Sequence, residues 1–229
     1  MITGRGTGVL EDSRTNAYIE SLCRGNGAFL DELEQKCLRE DIPIIRPSMQ
    51  KILRVLIRAV QPGSILEVGT AVGFSAILMA GCAPDNCKIT TIEKYEKRIL
   101  KAKENFALAG LEEKIEFIEG DASDVLKELV DSGRKYDFIF MDAAKGQYFV
   151  FLDDVLSLMN TGGMLVSDNV LQDGDIIESR FAVTRRNRTI HSRMREYLYA
   201  LTHNDRLETT ILPVGDGVTI SVNTLSQDV

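Results

Sequence analysis

From Ser64 onward, short apolar runs alternate with longer helical ones, and this alternation narrows the possible folds more than any other feature. The β-rich runs are Ile65–Val68, Ile89–Ile92, Ile115–Ile118, Phe138–Met141 and Met164–Ser167. Helical stretches lie between and after them, near 73–82, 95–109, 122–131 and 146–159. Apolar strands that alternate with helices need cover on both faces, and the helices supply it. A parallel sheet coated by helices on both sides follows. The chain closes differently. Glu208–Pro213 and Val218–Asn223 flank Gly215-Asp216-Gly217, which reads as the turn of an antiparallel hairpin.

Ahead of Ser64 the pattern is helical. Tyr18, Ile19 and Leu22, then Phe29, Leu30, Leu33 and Cys37, recur at helical spacing, with Gly25 and Gly27 marking a break. Pro47 opens a further helix that carries Met49, Ile52, Leu53 and Leu56. The 229 residues make one domain, 1–229, with a helical extension over 1–60 and a core over 61–229. No apolar run reaches the roughly 18 residues of a membrane span. Met1–Glu20 lacks the basic-then-apolar order of a signal peptide, so a cytoplasmic location is expected.

A net charge of −7, from 27 basic and 34 acidic residues, argues against a broadly basic nucleic-acid surface but leaves room for a local patch. The four cysteines, Cys23, Cys37, Cys82 and Cys87, form no CxxC and have no histidine at zinc-finger spacing; they read as reduced thiols in or near a core. His191 and His203 are the only histidines, too few for a three-histidine zinc site within one chain.

The chemistry-bearing residues fall at strand ends, where open α/β sheets bind ligands. The first strand ends in Glu67-Val-Gly69-Thr-Ala-Val-Gly73-Phe-Ser75, a turn that either simply joins strand to helix or lets backbone approach a nucleotide. It is neither GxGxxG nor a P-loop. The second ends in Glu93, some 20 residues on, where a ribose diol finds its acceptor. The third ends in Glu119-Gly120-Asp121-Ala122, where Asp121 suits a helix cap, an adenine-side contact, or both. The fourth and fifth end in Asp142-Ala-Ala-Lys145 and Asp168-Asn169. Asp142, Asp168 and Asn169 together offer three hard oxygen donors suited to Mg²⁺, with Lys145 close enough to share the site. Helix capping is the alternative reading of each pair taken alone.

The ordered blocks E-x-G-T-x-x-G-x-S, I-E, G-D-A, D-A-x-K and D-N resemble the Mg²⁺-dependent, S-adenosylmethionine-dependent O-methyltransferases of the catechol and caffeoyl-CoA type, over about Pro43 to Val222. The resemblance implies a Rossmann-like class I methyltransferase fold: a seven-stranded, mostly parallel sheet with an antiparallel last strand and helices on both faces. It implies a cofactor site at Met49, Glu67, Gly69, Gly73, Ser75, Glu93, Asp121, Ala122 and Asp142. It implies metal ligands at Asp142, Asp168 and Asn169, a catalytic Lys145 beside Asp142, and a homodimer. Lys145 would take the acceptor's proton if its surroundings lowered its pKa.

One stretch departs from the acidic average. Arg180, Arg185, Arg186, Arg188, Arg193 and Arg195 follow one another with no Asp or Glu between, and Arg46 could extend the patch. Arginines pair bidentately with phosphates, although such a run also suits a solvated helix face or a dimer interface. With this cluster the chain resembles the bacterial branch that methylates 5-hydroxyuridine at the tRNA wobble position. That resemblance implies a tRNA anticodon loop as partner, with no DNA and no membrane. The alternative acceptor is a small catechol-like or caffeoyl-CoA-like phenolic.

Overall fold

The computed structural model describes residues 13–179 and 181–224. Three helices lead: α1 (Ser13–Ser21), α2 (Ala28–Arg39) and α3 (Pro47–Val60). Pro47 sits in the first turn of α3, where its missing N–H costs nothing. The alternating part then runs β1 (Ser64–Val68), α4 (Phe74–Ala80), β2 (Lys88–Glu93), α5 (Glu96–Ala109), β3 (Ile115–Glu119), α6 (Ala122–Asp131), β4 (Tyr136–Met141), α7 (Tyr148–Leu158) and β5 (Met159–Ser167). The chain continues with α8 (Arg188–Thr202), β6 (Leu207–Leu212) and β7 (Val218–Asn223).

The seven strands form one sheet in the order β3-β2-β1-β4-β5-β7-β6. The pairings among β1 to β5 are parallel, and β7 runs antiparallel to both its neighbours, β5 and β6. Alternating side chains of the central strands feed two cores. Ile65, Phe138 and Phe140 meet α2, α3 and α4 on one face, through residues such as Leu33, Leu53, Ile57 and Ile77. Leu66, Val68, Ile139 and Met141 meet α6, α7 and α8 on the other, through Leu126, Val155 and Met194.

The register places the site. Val68 lies level with Ile92 and with Met141, and Met141 lies level with Ser167. The next residue of each strand or loop, Gly69, Glu93, Asp142 and Asp168, therefore stands in one row along the carboxyl edge. Strand order reverses between β1 and β4, the position where open sheets hold ligands.

Two sequence expectations need correction. The helix placed at 146–159 begins as a 3₁₀ turn at Lys145–Gln147, and its last residue, Met159, starts β5 instead. Helix α8 takes up the alternative reading of the arginine run, a helix face, from Arg188 onward. Of the four free thiols, Cys37, Cys82 and Cys87 are buried, whereas Cys23 is exposed. Among the described residues no helix is long and apolar enough to cross a membrane.

Candidate active site

A cavity of about 690 Å³ opens along the row of strand tips, within the range of small-molecule sites. Gly69, Ser75, Glu93, Asp121, Ala122 and Asp142 all border it. The β1–α4 loop reaches it through unusual backbone. Gly69 has φ +106°, and a Cβ there would run into the Asp142 carbonyl. Ala71 is left-handed at φ +48°. Gly73, at φ +86°, opens α4 with the Phe106 ring packed where its Cβ would lie. The Asn105 side-chain amide, on α5, donates to Val72 O at 2.8 Å and fixes the loop from outside.

Glu93 is a preset acceptor. Its Oε2 takes the Ala71 N–H at 2.9 Å, and its Oε1 takes the N–H groups of Lys94 at 2.9 Å and Tyr95 at 3.0 Å. A carboxylate offers about four lone-pair sites, so capacity remains for a diol. Arg98, which the sequence reading overlooked, also borders the cavity, with its guanidinium 3.9 Å from Glu93 Oε2. Asp121 has both predicted roles' geometry: it caps α6 by accepting the Ser123 N–H at 2.9 Å and it faces the cavity. That N–H, with Lys94 at 3.0 Å, lowers its pKa.

Three of the expected cofactor residues do not border the cavity. Gly73 lies at the head of α4, and Met49 is packed into the core among α2, α3 and α4. Glu67 is wholly buried beneath the loop. Thr91 donates to its Oε2, and Thr91 in turn meets Thr70 at 2.6 Å. Burial pushes the Glu67 carboxyl up to about 7, and the charges of Asp142 and Glu93 add to the shift.

The tips of β4 and β5 lie side by side at one end; of their expected site residues Asp142 borders the cavity, whereas Lys145, Asp168 and Asn169 do not. The ladder continues past both strands: Asp142 N–H donates to Val68 O at 3.0 Å and Asp168 N–H to Met141 O at 3.1 Å. The buried Tyr148 hydroxyl lies 2.9 Å from Asp168 O and 3.2 Å from Met141 O, stitching the tips together from below. Asn169 follows in left-handed backbone at φ +59°. Burial, reinforced by the Asp168 charge, raises the pKa of Asp142. Burial likewise raises that of Asp168, with the Asp216 charge adding to it. Two poorly solvated carboxylates at adjacent strand tips, with Asn169 next in the chain, fit a hard divalent cation. Among the described residues no three His, Cys, Asp or Glu side chains are grouped to hold a metal; the fit rests on the amide of Asn169 as third donor. Lys145 Nζ donates to Asp216 Oδ2 at 2.8 Å. Asp216, on the β6–β7 turn, is the acidic residue of this site that sequence reasoning treated as turn chemistry alone.

The described arginines of this run divide between solvent and local contacts. Arg185 and Arg186 are exposed. Arg188 donates to Val183 O at 3.4 Å and Arg193 to Gly146 O at 2.9 Å, both holding local loops. Arg46 precedes α3, and its charge acts on Asp168. Arg180 lies outside the described residues.

Comparison with known proteins agrees with this geometry. A family model described as O-methyltransferase matches residues 21–224. A catechol O-methyltransferase of Niastella koreensis is 36% identical over 135 residues, 58% of this chain and 61% of its own length. The chain thus spans less than two thirds of that relative. Caffeoyl-CoA O-methyltransferase 2 of Populus trichocarpa is 32% identical over 174 residues, 74% of this chain and 70% of its own. Among solved structures, the O-methyltransferase TomG from Streptomyces achromogenes, involved in tomaymycin synthesis and determined in complex with SAM, superposes with a TM-score of 0.80. It shares 26% identity and covers 93% of this chain and 96% of its own.

Proposed function

This chain belongs to the O-methyltransferase family, and on that premise we propose that it transfers a methyl group from S-adenosylmethionine to one of two adjacent oxygens of a small phenolic acceptor, catechol-like or caffeoyl-CoA-like. The observation that carries this reading is one cavity bordered by Gly69, Glu93 and Asp142, with Asp168 level with Asp142 on the neighbouring strand tip. It sets a nucleoside-sized space at one end beside hard oxygen donors at the other.

The methyl donor is a substrate here, and its sulfonium methyl is already activated. The protein mainly has to align it with an ionised oxygen. The backbone of Gly69 to Ala71 approaches the donor closely because no side chain intervenes at Gly69. Glu93 receives the ribose diol, and Asp121 with Ala122 borders the base. Asp142, Asp168 and Asn169 would hold the divalent cation, Mg²⁺ in the first instance. Bound there, the cation would stabilise the acceptor's oxyanion and so ease its ionisation near neutral pH. Lys145 adds a second positive group at the same end of the site.

The relatives named for their substrates are catechol and caffeoyl-CoA enzymes, and they favour a phenolic acceptor over tRNA. The arginine contacts point the same way, since Arg188 and Arg193 serve the protein's own loops.

The test is transfer from labelled S-adenosylmethionine, with and without EDTA, to catechol, caffeoyl-CoA and tRNA bearing 5-hydroxyuridine. Label in a phenolic, abolished by EDTA and restored by Mg²⁺, is expected. Label in tRNA alone would overturn the acceptor class. Transfer that EDTA leaves untouched would overturn the roles given to Asp142, Asp168 and Asn169.

A further inference from the structure

Part of the cavity wall comes from outside the alternating core. Pro43, Ile44 and Ile45 border the cavity, yet they lie in the strap that joins α2 to α3 and belong to no helix or strand. Backbone bonds fix the two ends of this strap: Ile42 N–H donates to Cys37 O at 2.9 Å, and Gln50 N–H to Arg46 O at 3.0 Å. Between them, the Gln50 side chain reaches back from α3 and donates from Nε2 to Ile45 O at 3.0 Å. Its second amide hydrogen goes to Glu34 Oε1 on α2 at 2.8 Å. A carbonyl and a carboxylate both face Nε2, which settles which end of the amide is which. On the other side, Gln50 Oε1 accepts from Asn26 Nδ2 at 2.5 Å. Asn26 lies between α1 and α2 and is itself held, its N–H donating to Asp31 Oδ1 at 2.7 Å.

Glutamine is an unusual choice here. Gln50 is 1% exposed, on the face of α3 that also buries Met49 and Leu53. An apolar side chain would fill such a place without the cost of stripping water from an amide. The bonds that offset that cost run to the cavity wall and to the helical extension, none of them to α3 itself. We infer that Gln50 is a positioning residue for the methyl donor: its amide latches the wall formed by Ile44 and Ile45 to α2 and to the loop ahead of it. This rests on the reading of the cavity as the S-adenosylmethionine site. Gln50 acts through Ile45 and takes no part at the reacting atoms.

Gln50→Met keeps the bulk of the side chain and removes all three bonds. In the free protein, hydrogen exchange of residues 44–48, read by mass spectrometry, should become several-fold faster relative to exchange in α5. Titration with S-adenosylhomocysteine should show binding weakened about fivefold, the size of one net hydrogen bond. The KM for S-adenosylmethionine should rise by the same factor while kcat stays within about twofold, the pattern of lost uniform binding. Asn26→Ala removes the outer hold of the latch from a half-buried loop position and leaves the core intact. It should shift exchange, affinity and KM in the same direction by less, and it guards against Gln50→Met failing to fold.

Unchanged exchange at 44–48 in both variants would overturn the latch. Faster exchange there with undiminished affinity for S-adenosylhomocysteine would overturn its bearing on the donor. So would a fall in kcat at constant KM, the result of a role in stability alone. Wild-type protein that bound no S-adenosylhomocysteine would overturn the donor cavity itself, a separate failure, because exchange in the free protein reads the latch without any donor.

Discussion

Gly69 and Gly162 both adopt positive φ, +106° and +76°, but their surroundings differ. A Cβ at Gly162 meets nothing within 4 Å, whereas one at Gly69 meets the backbone carbonyl of Asp142. Gly162→Ala therefore costs backbone strain alone, about 1–2 kcal/mol for a left-handed alanine. Gly69→Ala carries comparable strain plus a collision. The Asp142 carbonyl has little freedom to retreat, because the Asp142 N–H is bonded to Val68 O at 3.0 Å and Met141 O receives the Asp168 N–H. Overpacking of that kind adds about 1–3 kcal/mol. At about 2–4 °C per kcal/mol for a domain of this size, Gly162→Ala should melt about 2–8 °C lower than wild type. Gly69→Ala should melt lower still, by a further 2–12 °C or so on the same scaling. The displaced carbonyl also moves the cavity wall, so calorimetric titration with S-adenosylhomocysteine should show weaker binding in Gly69→Ala and wild-type binding in Gly162→Ala. Equal melting of the two variants, or undiminished affinity in Gly69→Ala, would refute the reasoning.

Glu93→Gln sets an amide NH₂ against backbone N–H groups wherever Oε1 or Oε2 was replaced. A buried donor left unpaired costs about 1–3 kcal/mol, so S-adenosylhomocysteine should bind roughly 5- to 150-fold more weakly, by titration, if the loop shifts to relieve it; unchanged affinity would remove Glu93 from the donor site. Glu67 gives a pH dependence. Its carboxyl is raised to about 7, so the folded state holds its proton more tightly than the unfolded chain does. The stabilisation is complete below the usual carboxylate range and is lost as pH rises towards 7. Glu67→Gln abolishes that loss, and its melting temperature relative to wild type should therefore be more favourable at pH 8 than at pH 5; a difference independent of pH would contradict the shift.

The strands were legible because burial on both faces forces them to be apolar along their length, as in Ile65–Val68 and Phe138–Met141. Their order at the tips was legible because Gly69, Glu93, Asp142 and Asp168 each end such a run. Helix α8 was legible only as one reading of the arginine run. Its buried face is made by His191, Met194, Tyr197 and Leu201, and two of these carry polar groups that blur the period. Glu67 illustrates a different gap. Sequence places it next to the glycine turn, but strand alternation turns its side chain beneath the loop, where Thr91 meets it. Asp216 was hidden for a third reason. An aspartate between two glycines already satisfies a hairpin, and its pairing with Lys145 arises only when β7 lies beside β5.

That placement has a consequence for how the molecule is made. Strand β7 fits between β5 and β6, although it is the last strand of the described chain. During synthesis the first five strands can pair in parallel as they emerge, while the edge of β5 stays bare. Asp142 and Asp168 then stand beside each other without Asp216 or the bonds that the N–H groups of Leu171 and Val170 donate to Asp216 O and Gly217 O. Only when the β6–β7 hairpin inserts do those partners arrive together. The donor-binding half can thus be finished in a nascent chain whose acceptor end is still unassembled, and capture of S-adenosylmethionine would precede competence to use it.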